Sequence, residues 1–237
     1  MIKKSSINRR QLLAGLSMAG IPLDAQHNPE SLYIPKAQLV DDRKFLHDFM
    51  DEYSFVDLVT ASPEIRVTHI PVFLDRGAGT YGTIYGHISR QNPQNKTFDG
   101  GNAVIVFRGP HSYISPTWYA KTEVVPTWNF AVVHASGKLK PIDDRKALHD
   151  LLAKLIEKFE KSPSSAYNFA KLPDSYKNGL IAGIIGFEME IESLEGKFKL
   201  GQERSDADKK GVLKGLASAK PERSIHDFTA EFYERKG

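Results

Sequence analysis

The sequence predicts an α+β protein, a mainly antiparallel sheet or barrel with peripheral helices. Three observations carry this. Five β-rich runs follow one another between residues 55 and 139, with turn residues between them. One strongly periodic helix follows. A late strand then alternates Phe187, Met189 and Ile191 with Glu188, Glu190 and Glu192, the pattern of a half-buried strand with an acidic outer row.

Met1 to Ala25 has a cationic start and a short apolar stretch from Gln11 to Pro22, the layout of an export signal. Arg9-Arg10 followed by Gln11, Leu12 and Leu13 resembles a twin-arginine signal. The expectation is a periplasmic protein. The alternative is a cytoplasmic chain whose first turns form an amphipathic helix. Residues 26–31 read as a polar linker, and 32–220 as the folded domain.

Within that domain Leu32-Tyr33-Ile34-Pro35 reads as an ordered arm. Asp41 or Asp42 caps a helix running to about Glu52, with Phe45, Leu46 and Phe49 on one face. The strand runs are Phe55–Thr60, Val67–Leu74, Thr83–Ile88, Ala103–Phe107 and Phe130–Leu139. Between the last two, Phe107 to Asn129 is rich in Pro and holds both Trp residues, so it reads as a shaped connection between strands. Leu148, Leu151, Leu152, Leu155, Ile156 and Phe159 recur at helical spacing; Asp143 or Asp144 caps that helix, and Ser162-Pro163 ends it. A shorter helix is expected from Asp174 to about Ala182, then the strand Ile184–Leu194. Asp206 to Leu216 is helical but interrupted by Gly211 and Gly215. Residues 221–237 read as a terminal helix or tail.

Composition bounds the chemistry. The 237 residues are 41% hydrophobic and 26% charged, ordinary for a soluble globular chain. With no Cys, disulfides and thiolate metal sites are excluded. No apolar run reaches the ~18 residues of a spanning helix. The formal charge of +3 equals that of residues 1–25, so the remainder is neutral and lacks the cationic excess that binds a phosphate backbone. Dinucleotide, P-loop, HExxH and GxSxG motifs are absent. His87, His111 and His134 show no metal-ligand spacing.

Three stretches offer chemistry. His87, Ser89 and Arg90 leave a strand for a polar turn, and a guanidinium with a hydroxyl can hold a phosphate by charge-assisted hydrogen bonds. The aromatic connection combines Tyr113, Trp118 and Trp128 with Ser115, Thr117, Thr127 and Asn129; apolar faces beside hydrogen-bonding groups suit a flavin ring. Lys197 to Arg204, placed directly after the last strand, is a cationic patch.

Longer motifs carry a resemblance. LYIPK at Leu32–Lys36, THIPVFLD at Thr68–Asp75, GHISRQNPQ at Gly86–Gln94 and VFRGPHSYISPTWY at Val106–Tyr119 occur in order. VPTWNFAVVHASGKL at Val125–Leu139 and the stretch Ile184–Leu216 follow. Together they resemble the PaiB-like family of FMN-binding negative transcriptional regulators. The resemblance implies an FMN-binding split barrel, a homodimer with flavin sites across the subunit interface, and DNA as a partner. It implies Ser89 and Arg90 at the phosphate, with His87 beside them. Tyr113, Ser115, Trp118, Thr127, Trp128 and Asn129 would surround the ring; Lys199, Gln202 and Arg204 would close the site. Two departures stand out. The chain has Gly201 and Glu203 where KLSQNR is usual, and a working leader would remove a repressor from its DNA. An exported flavin-dependent oxidoreductase is therefore the alternative. A haem-binding split barrel with His134 or His87 as axial ligand is a third reading.

Overall fold

The computed structural model describes residues 32–121, 123–160 and 167–219. The leader, linker, Ser162-Pro163 stop and C-terminal tail expected above lie outside the described residues.

The order is β1 (Leu39–Val40), α1 (Arg43–Glu52), β2 (Phe55–Thr60), β3 (Arg66–Pro71), β4 (Phe73–Asp75), β5 (Thr83–Ser89), β6 (Asn102–Ile114), β7 (Thr127–Ile142), α2 (Arg145–Phe159), α3 (Asp174–Ala182), β8 (Ile184–Lys199) and α4 (Asp206–Ser218). The strands form one sheet in the order β3-β2-β6-β7-β8-β5-β4, with β1 on β8, and each pairing is antiparallel. The sheet's two edge strands, β3 and β4, are consecutive in the chain and meet at Val72, which is buried. Such a sheet must curl, and the chain itself bridges the split where a ladder would close a full barrel. This corrects the single strand expected over Val67–Leu74.

The interior follows strand alternation. Val56, Leu58, Ile84, Ile88, Ile105, Phe107, Val133, Ala135, Phe187 and Met189 point into one buried cluster. Helix α1 contributes Leu46, Phe49 and Met50 to it. Asp42 starts α1 by accepting from the Phe45 N–H at 3.0 Å, and Asp144 starts α2 by accepting from the Ala147 N–H at 2.8 Å. Helix α2 lies against the outside of β8, where Leu148 and Leu151 approach Gly186 closely.

Strands β6 and β7 are far longer than the expected Ala103–Phe107 and Phe130–Leu139. The expected connection from Phe107 to Asn129 shrinks to residues 115–126. Pro110 is accommodated because β6 slips register against β7 between Arg108 and His111, and a bulge frees the ladder position where Pro lacks a donor. Likewise β8 runs on to Lys199, so the first three residues of the cationic patch are strand.

Candidate functional site

The residues singled out in the sequence fall into two groups at opposite ends of β8. His87 and Ser89 pair with Gly186 and Ile184 at its start. Lys199 is its last residue, fifteen positions on, which is roughly 50 Å of extended strand before curvature. One protomer does not bring the two groups together.

At the first end, Arg90 is held in place. Its Nη2 donates to Asp143 Oδ1 at 2.5 Å and to the Ile184 carbonyl at 2.7 Å; its Nε donates to the Ala182 carbonyl at 3.2 Å. Ala182 is the last residue of α3, so the guanidinium also meets the negative end of a helix. The hydrogen bond to Arg90 holds the Asp143 carboxyl below its ordinary range. Nη1 makes no hydrogen bond among the described residues. His87 is half-buried, burial pushes its pKa down, and its Nδ1 has no partner among the described residues. Buried polar atoms are normally paired, and this one is both unpaired and closed off from solvent.

The turn after Arg90 is structural. Asn92 Oδ1 accepts from the Gln94 N–H at 3.0 Å, and Pro93 sits in the first turn of the short helix Pro93–Thr97. Gln94, fully buried, donates to the Leu58 carbonyl at 3.0 Å, Thr60 Oγ1 at 3.2 Å and the Arg66 carbonyl at 3.3 Å, and it also bonds Thr68 Oγ1.

At the far end, Tyr113 and Trp128 stack edge to face at 6.2 Å, and His111 lies 5.9 Å from the Trp128 ring. Both larger rings are about half exposed, Tyr113 at 46% and Trp128 at 51%. Exposed paired aromatics on the rim of a sheet are unusual enough to mark a binding surface. Lys199 Nζ donates to Thr127 Oγ1 at 2.7 Å. Lys197 lies 5.8 Å over the Phe130 ring and 5.3 Å over Tyr33, and burial together with Lys199 lowers its pKa. Arg204 lies 4.9 Å over the Tyr119 ring. Beside them opens a pocket of about 500 Å³, walled by Tyr119, Asn129, Gln202 and Arg204 and by Leu213 and Leu216 of α4. That size and mix, apolar walls with a few polar groups, fit an aromatic ligand carrying a charged tail.

Three residues expected around the ring or at its mouth do other work here. Ser115 accepts from the Thr117 N–H at 3.2 Å and caps the short turn Pro116–Trp118. Gln202 closes a turn, with Nε2 donating to the Phe198 carbonyl at 2.5 Å and Oε1 accepting from the Leu200 N–H at 2.8 Å. Gly201 takes φ +76° in that turn, which explains a glycine where the family motif has Ser. Trp118 is seated in α4: a Cβ on Gly215 would lie 2.2 Å from its ring, and one on Gly211 would lie 2.0 Å from its carbonyl oxygen. The two glycines that seemed to interrupt the helix are a notch for Trp118. Asp208, buried, completes the joint by accepting from the Ala120 N–H at 2.8 Å and from Ser205 Oγ at 2.8 Å, which holds its carboxyl low.

Residues 32–193 match a family described as "Putative FMN-binding domain". The chain is also 34% identical over 187 residues to the Bacillus subtilis protease synthase and sporulation protein PAI 2, covering 78% of this chain and 89% of that one. The chain belongs to this FMN-binding, PaiB-like family. Another relative is an uncharacterised Emericella nidulans protein, AN0679, 34% identical over 65% of this chain and 76% of that one. The flavocytochrome Anf3 from Azotobacter vinelandii shares the fold, with a TM-score of 0.53 at 13% identity over 81% of this chain and 88% of that one. The split-barrel expectation is borne out. Much of the family's GHISRQNPQ motif proves to be scaffold: Gly86 admits Phe187, Asn92 caps a turn, and Gln94 ties β2 to β3.

Proposed function

We propose that this protein binds FMN across the seam of a homodimer, with the two groups of residues coming from different protomers. The observation that carries this reading is their separation along β8: each group is half of a flavin site. Arg90 and Ser89 would take the phosphate of one flavin, with His87 beside them on β5. Tyr113, Trp128, Thr127, Asn129, Lys199 and Arg204 of the other copy would face its ring and ribityl chain, with Trp118 and Gln202 holding the pocket walls. Bound flavin supplies redox chemistry; these side chains bind it, orient it and exclude water from one face.

Complementation tests the reading. Arg90→Ala and Lys199→Ala should each weaken FMN binding about 10-fold or more, the effect of losing a charge-assisted contact of ~1.5–3 kcal/mol. After the two variants are unfolded and refolded together, each mixed dimer should regain one intact site. Mixed dimers with no recovered affinity would place both groups on the same flavin from one chain, or one of them away from it.

A redox role is favoured over DNA regulation by charge. The formal charge outside residues 1–25 is zero, whereas DNA binding draws on a cationic surface.

A further inference from the structure

The flavin reading leaves one flank of α4 unassigned. On one side of this helix Gly211 and Gly215 seat Trp118. On another, Lys209, Val212, Leu213 and Leu216 stand at i, i+3, i+4 and i+7 and line the pocket of about 500 Å³ together with Leu200. Leu213 is 68% exposed and Leu200 49%, while Val212 and Leu216 are half-buried. Scattered exposed leucines are ordinary, but a row of apolar side chains along a groove marks a surface that something covers. Arg204 and Lys209 line the same groove, and among the described residues no carboxylate does.

The chain itself carries a matching cover. Helix α4 ends at Ser218, with Ala219 extended as its cap. Residues 220–237, outside the described residues, open with Lys220-Pro221, and Pro221 bars α4 from running on. Beyond it Ile225, Phe228 and Phe232 recur at i, i+3 and i+7, the spacing of one helical face. Asp227, Glu231 and Glu234, at i, i+4 and i+7, make an acidic row beside them.

The two spacings interlock. Backward from its end, α4 offers Leu216, Leu213 and Lys209, in steps of three and then four residues. Forward, the segment offers Ile225, Phe228 and Phe232 in the same steps. An antiparallel pair of helices would therefore set Leu216 on Ile225, Leu213 on Phe228, and the Lys209 ammonium on the Phe232 ring. Each row is ~10 Å of helix long. Residues 220–224 reach up to about 17 Å when extended, against about 8–10 Å between packed helix axes, and a link of about five residues suits a helical hairpin.

We propose that residues 225–233 of this chain dock as an amphipathic helix along the α4 flank, antiparallel to α4, with Ile225, Phe228 and Phe232 against Leu216, Leu213 and Lys209. The segment covers the exposed leucines and brings its acidic row to a groove that holds two cations. The inference does not rest on the flavin reading: its contacts are on α4, and its test is run without FMN.

The test uses the full FMN-free chain, which has no Cys of its own. Mild oxidation of the double variant Leu213→Cys/Phe228→Cys should form a disulfide within one chain, which runs as a monomer on a denaturing gel. Leu213→Cys/Ala230→Cys puts the second thiol on the far side of the segment's helix. It should close at least about 10-fold more slowly, because a disulfide tolerates only ~4–7 Å between Cα atoms. Hydrogen exchange should be slower at amides 225–233 of the wild type than in a synthetic peptide of residues 220–237. Leu213→Glu should return those amides to the peptide's rate and leave the melting of the barrel unchanged. A covalent dimer would assign the groove to a second copy's segment; equal closure rates, or peptide-like exchange in the wild type, would leave the flank uncovered. Each of these results overturns the proposal.

Discussion

The two ends of β8 solve opposite problems. At its start, polar groups are tied into protein: Arg90 spans Asp143, Ala182 and Ile184, while α2 and α3 cover the sheet. At its end the rings of Tyr113 and Trp128 stand in solvent, and the cations rest on aromatic faces. The first end is tightly tied and, among the described residues, nearly satisfied, with the buried His87 Nδ1 and one Arg90 guanidinium nitrogen left unpaired. The second is open and built around a pocket. The proposed site would take its phosphate contacts from the first end and its ring contacts from the second, and the fold keeps the two apart within one chain.

The comparison breaks most readily at the open end. Gly215→Val would drive its side chain into Trp118, whose ring already lies 2.2 Å from a Cβ at that position. Displacing α4 removes a wall of the pocket, and FMN affinity should fall on the order of 100-fold, about 2.7 kcal/mol. Isothermal titration would measure it, with thermal melting expected to report a barrel still folded. The first end should answer the other way. Gln94→Leu strands the buried carbonyls and hydroxyls that Gln94 serves, and should cost about 1–3 kcal/mol in urea unfolding. FMN affinity of the folded variant should stay within about 2-fold of wild type, since Gln94 touches no proposed ligand group. The smallest effect is electrostatic. His87 is kept neutral by burial, so its folded pKa lies below its ordinary value near 6.5. The unfolded chain then binds the extra proton first, and stability falls as pH drops below about 6.5 toward the folded pKa. His87→Gln should flatten that slope by less than about 1.4 kcal/mol per pH unit. An unchanged slope would assign it to His134, whose pKa burial also lowers.

What the sequence revealed depended on whether a local signal decided the outcome. The caps at Asp42 and Asp144 and the Leu148–Leu151–Leu155 stripe are local, and α1 and α2 appear where they predict. Strand β2 matches Phe55–Thr60 residue for residue. Long-range events were illegible. Pro110 reads as a strand breaker until the slip against β7 is seen, and Val72 looks like mid-strand until the chain is known to cross the split there. Gly211 and Gly215 read as helix defects because their reason, Trp118, is far away in sequence. The site was half legible. Lys199, Arg204, Tyr113 and Trp128 do gather at one rim, but Ser115 and Gln202 spend their polar atoms on local turns.

The central claim is that FMN needs two copies of this chain. Sedimentation velocity of the protein with FMN, followed at a flavin absorbance wavelength, tests it directly. The prediction is a single yellow boundary at the dimer mass carrying two flavins. Yellow protein sedimenting as a monomer, or a dimer boundary with no flavin in it, would contradict the account.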